Sequence, residues 1–462
     1  MSEIDVKTLG ALISAAGNAR IYRNGDLRAR DPGWHPENLG AGLAVAPTTT
    51  KEVSDILSFC NRAGVGVVPH GGLTGLAGGA ASKNGQIIMM LTELRSTTVD
   101  PETGVAVVGA GATLESVDRA AALHGLAVGI DLAARGSATI GGMISTNAGG
   151  GEAFRNGTMR HRVLGLEVVL PDGSIMSDMK HVTKANEGVD VKHLFIGAEG
   201  TLGIVTRAVI KLEPRQVERS TVLVGCRAAS GAVKAFATLN ARKGIRLLLA
   251  EIMWADYACT AALELGLEKW LTFADCPVYV IFDLAAEGGA DGDSDTLMEV
   301  LEAMMSSGAI EDAVIAKNES ERSDIWRIRE ESDVIDRRHP HGLWFDLSVP
   351  QKHLDDYVAG MLARVSTVDS DFRVFVMGHL GDGNLHLTLS RGTPAADEYA
   401  RVADAVYDGL GALGGSFSAE HGIGTEKKAS MSRLVDPVKL EMMRSIKRLL
   451  DPNGIMNPGK IF

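Results

Sequence analysis

The stretch "VGVVPHGGLTGLAGGA", residues 65–80, decides how this chain is read. A short β-branched run ends in Pro69 and gives way to Gly71, Gly72, Gly75, Gly78 and Gly79. That order predicts a strand running into a loop whose consecutive peptide N–H groups carry almost no side chains, the concave nest that suits phosphate oxygens. Two more glycine clusters follow, "RGSATIGGMISTNAGGGEAFRNGTMR" at 135–160 and "FIGAEGTLGIVT" at 195–206. Any one of them reads equally well as a glycine-rich connection. Three within 150 residues are harder to dismiss as connections. None holds GxxxxGK[ST], which disfavours a nucleoside triphosphatase. A fourth segment, "VAVVGAGATLESV" at 105–117, imitates a dinucleotide fingerprint, with Asp131 about 20 residues past Gly111. Its third glycine position is Leu114, however, and no train of βαβ units follows, so a nicotinamide site is disfavoured.

The 462 residues exceed one ordinary core and predict two or three domains. The 54 glycines are more than average usage and are concentrated in the clusters above. A formal charge of -12 argues against nucleic acid as a partner, and it obliges an anionic substrate to find a local arginine, lysine or metal ion. Cys60, Cys226, Cys259 and Cys276 are scattered without CxxC spacing, the usage of a reducing compartment. No apolar run nears the ~20 residues of a transmembrane helix, and the start "MSEIDVKTLGALISAAG" has no basic n-region or cleavage site. A cytoplasmic protein is the expectation.

A second focus is "GHLGDGNLH", residues 378–386, between the strand-like runs "RVFVM" and "NLHLTLS". A two-residue turn on Asp382-Gly383 would set Gly381 opposite Asn384 and His379 opposite His386, with both imidazoles on one sheet face. Directly opposed residues lie about 5 Å apart at Cβ, close enough to share an ion. A polar hairpin with incidental histidines explains the same letters.

Six motifs in order, "PHGGLTGLAGG", "DLAARGSATIGGMISTNAGG", "FIGAEGTLGIVT", "GHLGDGNLH", "SAEHGIGTEKK" and "LDPNGIMNPGKIF", resemble the FAD-linked 2-hydroxyacid dehydrogenases of the vanillyl-alcohol-oxidase-like flavoproteins. That group includes D-lactate dehydrogenases, the flavin subunit of glycolate oxidase and D-2-hydroxyglutarate dehydrogenase. The resemblance runs from about residue 40 to the C-terminus. It implies an α+β protein: a two-part FAD-binding domain of the vanillyl-alcohol-oxidase type with an inserted α+β substrate-capping domain on an antiparallel sheet. The expected division is 1–215 for FAD, 216–410 for the cap and 411–462 returning to the flavin. By this resemblance Pro69, His70, Gly71, Gly72, Leu73, Thr74 and Gly75 surround the FAD pyrophosphate. Ser137, Thr139, Gly142, Thr146, Asn147 and Gly150 line the isoalloxazine and its chain. Glu199, Gly200 and Ile204 take the adenine and ribose side, and Asn457 lies in the returning tail. His70 stands where many relatives have arginine. Leu73 stands where some distant relatives carry a flavin-linking histidine, so noncovalent FAD is expected.

The same resemblance makes His379, His386 and Glu420 a His₂Glu site for a divalent metal, with zinc the first choice. Open positions on the ion would take the hydroxyl and a carboxylate oxygen of a 2-hydroxy acid. His421 is then the base, an imidazole being suited to proton transfer near neutrality. The reverse assignment, His421 as ligand and Glu420 as base, stays open. Arg329 is expected on the substrate carboxylate, with Trp344 and Thr388 beside the tail. The hydroxyglutarate dehydrogenases carry lysine and asparagine at the positions of Trp344 and Thr388, so a D-lactate-like or apolar-tailed D-2-hydroxy acid is favoured and D-2-hydroxyglutarate is the alternative. Electrons would pass to an external acceptor such as an electron-transfer flavoprotein, a quinone or a cytochrome, and a homodimer is contemplated. A zinc hydrolase would explain the histidines but not the glycines, and a flavin-binding electron-transfer subunit would explain the glycines but not the histidines.

Overall fold

A computed structural model describes residues 6–216, 218–271, 276–286 and 293–462. The chain forms two compact units, one of Met1–Gly149, Asn156–Arg215 and Glu420–Phe462, the other of Gly150–Arg155 and Gln216–Ala419. No helix among the described residues is long and apolar enough to cross a membrane.

The first unit is built on two sheets. In the four-stranded one the order is Arg20–Arg23, Leu43–Ala46, Ile87–Met90, Val67–His70, the last three mutually parallel. The strand expected before the first glycine cluster is therefore present, at the sheet edge, with its ladder ending at His70 where the glycines begin. That edge is extended from far along the chain: the Val67 N–H donates to Ile455 O at 2.7 Å and the Asn457 N–H to Val67 O at 2.8 Å. The five-stranded sheet runs Thr97–Asp100, Val105–Gly109, Ile204–Lys211, Val163–Val169, Ile175–Asp178 and is antiparallel throughout. The Rossmann imitation at 105–117 thus begins in an antiparallel strand, and no parallel βαβ crossover is formed there.

The second unit carries one antiparallel seven-stranded sheet, ordered Asp312–Ile315, Ser220–Cys226, Val278–Ala286, Ile245–Trp254, Arg373–His379, Asn384–Ser390, Leu343–Ser348. Strand alternation divides the side chains between two cores. Val222, Val280, Ile252, Leu385, Leu387 and Phe345 face one way, against Ala229–Ala241 and Leu354–Val368. Leu223, Ile281, Met253 and Phe375 face the other way, against Ala255–Leu265 and Glu319–Glu330.

The hairpin expected around Asp382-Gly383 is present with a different register. His379 pairs with Asn384 and His386 with Met377, so the connection is the four residues Leu380–Gly383. The slip from the expected pairing is two residues, which preserves side-chain parity. His379 and His386 therefore still share a face, as diagonal and not direct neighbours. Packing sets the longer turn: a Cβ on Gly383 would lie 2.0 Å from Val349 O, and the Val349 N–H donates to Gly383 O at 2.9 Å.

Candidate functional site

In the first unit the glycine clusters approach one another closely, leaving no room for a Cβ. A Cβ on Gly71 would stand 2.4 Å from Thr139 Oγ1, one on Gly72 1.8 Å from Ser137 O, and one on Gly200 2.4 Å from Pro69 Cγ. Among the described residues no N–H from Gly71 to Gly75 donates to a protein acceptor, which is the donor nest that a pyrophosphate requires. Leu73, Asn147, Glu199 and Asn457 adopt left-handed backbone with φ of 56°, 56°, 48° and 41°. Such conformations cost about 1–3 kcal/mol each and gather at ligand sites.

The polar side chains of these motifs mostly hold the loops themselves. Thr139 Oγ1 caps the Ile140–Thr146 helix by accepting from the Gly142 N–H, and Thr146 Oγ1 donates to Gly142 O at 3.1 Å. Asn147 Oδ1 accepts from Thr158 Oγ1 and the Arg160 N–H, both at 2.9 Å. Glu199 accepts from the Ile423 and Gly424 N–H groups at 2.7 and 2.8 Å, and burial raises its pKa despite them. Asn457 Nδ2 donates to Gly79 O at 3.0 Å and Glu199 O at 2.7 Å. Ile204 is buried in the core, and Ser137 and Gly150 present backbone or a small hydroxyl. His70 is 1% exposed; its Nε2 lies 2.9 Å from Ala80 O, its Nδ1 has no partner among the described residues, and burial pushes its pKa down to about 4. What the cradle offers FAD is peptide N–H groups and close backbone, and the residues fit it.

In the second unit His379 and His386 project from adjacent strands with their Nε2 atoms 3.5 Å apart. Two nitrogens on one tetrahedral zinc, each at 2.0–2.1 Å, stand about 3.3–3.4 Å apart, so the pair fits a shared ion. Behind each ring is a buried carboxylate. His379 Nδ1 lies 2.7 Å from Glu251 Oε1, and His386 Nδ1 lies 3.8 Å from Asp346 Oδ1. Burial pushes the Glu251 pKa up, but the charges of His379 and Arg329 outweigh it and hold the group below the usual carboxylate range. Asp346 accepts from Asn384 Nδ2 at 3.0 Å and from the Ala419 N–H at 3.0 Å. Glu420 and His421 are the two residues that follow Ala419, at the start of the last segment of the first unit.

Arg329 is 9% exposed and places Nε and Nη2 on Glu251 Oε2, at 2.9 and 2.8 Å. Trp344 pairs with Thr388, two positions along the strands from the Asp346–His386 pair and on the same face. It is 54% exposed, and its Nε1 donates to Asp336 Oδ1 at 3.0 Å, so it is not a core tryptophan. Glu251 and Asp346 were not singled out from sequence. Their signal was a lone acid within an apolar strand, "LLLAEIMW" and "LWFDLSV", since a buried carboxylate needs a partner.

Comparison with known proteins matches residues 41–178 to the FAD binding domain and residues 215–461 to the FAD linked oxidases, C-terminal domain. D-2-hydroxyglutarate dehydrogenase, mitochondrial, of Bos taurus is 35% identical over 91% of this chain and 76% of its own length. D-2-hydroxyglutarate dehydrogenase of Xanthomonas citri pv. viticola is 35% identical over 93% of this chain and 90% of its own. The solved 4-ethylphenol oxidase from Gulosibacter chungangensis superposes with a TM-score of 0.73 over 99% of this chain and 98% of that one, at 17% identity, which shows a shared fold only. The expected fold class, a two-part α+β flavoprotein of the vanillyl-alcohol-oxidase type, is what is found. The expected cytoplasmic location is overturned: the relatives from cattle, rice, zebrafish, rat and Arabidopsis are named mitochondrial. Scattered thiols and a lack of long apolar runs do not discriminate between compartments of this kind.

Proposed function

The chain belongs to the family of FAD-linked oxidases, and from that premise we propose that it oxidises D-2-hydroxyglutarate, or a close D-2-hydroxy diacid, to the 2-oxo acid. It is an FAD-dependent oxidoreductase acting on a CH–OH group. The observation that carries the substrate is the near full-length similarity to proteins named for D-2-hydroxyglutarate, from cattle to Xanthomonas. The preference for a short or apolar tail, drawn from Trp344 and Thr388, gives way to that alternative.

His379, His386 and Glu420 hold the divalent ion in this reading, and His421 takes the hydroxyl proton. Bound FAD supplies a two-electron acceptor for the C2 hydrogen, and the ion supplies Lewis acidity to the hydroxyl and carboxylate oxygens. Backbone N–H groups of Gly71–Thr74 would orient the cofactor, and a separate acceptor would take up its electrons. The second reading, a D-lactate-like substrate, is favoured by Trp344 and its bond to Asp336, which offer a distal carboxylate no cation. A panel of D- and L-2-hydroxy acids with an artificial electron acceptor tests both. The expected result is a kcat/KM for D-2-hydroxyglutarate at least about tenfold above D-lactate, a difference of about 1.4 kcal/mol; the opposite ranking refutes the proposal.

A further inference from the structure

We propose that Glu251 is a positioning residue of the metal site: it sets the tautomer of His379, while Arg329 and Gly151 keep its carboxylate in place. This rests on the metal reading above. A neutral imidazole has one N–H and one lone pair, and a metal can use only the lone pair. Glu251 stands directly across the sheet from His379 in the register of Ile245–Trp254 against Arg373–His379. With Oε1 at 2.7 Å from Nδ1, the carboxylate accepts the Nδ1 proton and leaves Nε2 as the donor atom, the nitrogen that faces His386.

The other oxygen of Glu251 is gripped by the Arg329 Nε and Nη2. A carboxylate only 3% exposed needs such a counter-charge to remain ionised. The Arg329 backbone is held in turn, because Tyr257 Oη donates to its carbonyl at 3.0 Å. Gly151 closes the arrangement: a Cβ there would lie 2.6 Å from Glu251 Oε1 and 3.5 Å from His379 Nδ1. A side chain at 151 would therefore push the carboxylate off the ring. Four segments of the second unit thus converge on the orientation of one imidazole. Arg329 acts through Glu251, a different role from pairing with the substrate carboxylate.

Zinc affinity, measured on the full FAD-loaded chain by competition with a chromophoric chelator, separates these roles without any turnover. Glu251→Gln is expected to bind zinc about 10- to 100-fold more weakly, the usual loss when a partner behind a ligating histidine is removed. Gly151→Ala keeps every charge and is expected to shift affinity the same way, so it carries the test if Glu251→Gln does not fold. Arg329→Met should also weaken zinc binding, with no further loss when added to Glu251→Gln, because the two act in series. The visible spectrum of the cobalt-substituted protein should change in Glu251→Gln, since the ring donates differently. Zinc held equally by the wild type and a folded Glu251→Gln overturns this inference alone, and so does an Arg329→Met change that moves only KM. A wild-type chain that holds no divalent ion overturns the metal reading along with it.

Discussion

His70 ties the stability of the flavin-binding unit to pH. Its imidazole is buried, its Nε2 is placed on Ala80 O, and its pKa is lowered from 6.5 to about 4, first by burial and then by the charge of Lys460, with the Ala80 bond opposing. Between those two values the unfolded chain binds a proton that the folded chain refuses. Stability from this group is therefore complete above pH 6.5 and is lost as pH falls toward about 4. A displacement of about 2.5 pH units at 1.36 kcal/mol each gives about 3 kcal/mol, a large share of a domain's stability. The matched variant is His70→Gln, whose side-chain amide keeps a donor for Ala80 O and does not titrate. Urea melts followed by flavin fluorescence, with free FAD at one fixed concentration, compare the two proteins from about pH 7 to about pH 4. The wild type should lose about 3 kcal/mol more than His70→Gln over that range. Parallel losses would refute the reasoning, because the buried neutral ring is the only difference between them.

With Leu73 in the first cluster, FAD is expected to be noncovalent, so acid precipitation should leave the yellow colour in the supernatant; flavin in the washed pellet would contradict this. Gly72→Ala places a methyl 1.8 Å from Ser137 O and should lower bound flavin per chain at least about tenfold, read from the ratio of visible to ultraviolet absorbance. His379→Ala should lose both metal and turnover while keeping FAD, and full metal occupancy in that variant would reject His379 as a ligand. His421→Asn should retain the ion and slow flavin reduction by about 10²-fold or more, the scale of a lost general base; release of the ion would instead favour His421 as the ligand.

The motifs were legible where a local rule dominates. Asp436 followed by Pro437 is a helix start written in adjacent letters, and the helix Pro437–Leu450 begins there with Asp436 accepting from the Lys439 N–H, because capping is a property of four adjacent residues. The shared face of His379 and His386 was also legible, since Leu385, Leu387 and Leu389 must point to the core and parity follows. The register itself was not, because the turn is set by Gly383 against Val349, a contact made by tertiary packing. Arg329 was expected on the substrate carboxylate, and its partner Glu251 lies 78 positions away. Nothing local announces such a pair. Charge in an apolar strand was the one clue, and it marks that a partner exists without naming it.

The return of the C-terminal segment to the first unit has a consequence for how the chain is made. Glu199 waits for Ile423 and Gly424, Gly79 for Asn457 and Ala81 for Lys460, across separations of 224 to 379 residues. At a synthesis rate of about 5–20 residues per second, the stretch from Glu420 to Phe462 takes about 2–9 s to emerge. The second unit is already complete in sequence during that interval, while the parallel edge of Val67 lacks Ile455 and Met456. Contacts of such long range close slowly and leave strand edges open in the meantime. The insert can therefore mature before its host, and the flavin-binding unit gains these contacts only when the stretch from Glu420 to Phe462 docks against residues made much earlier.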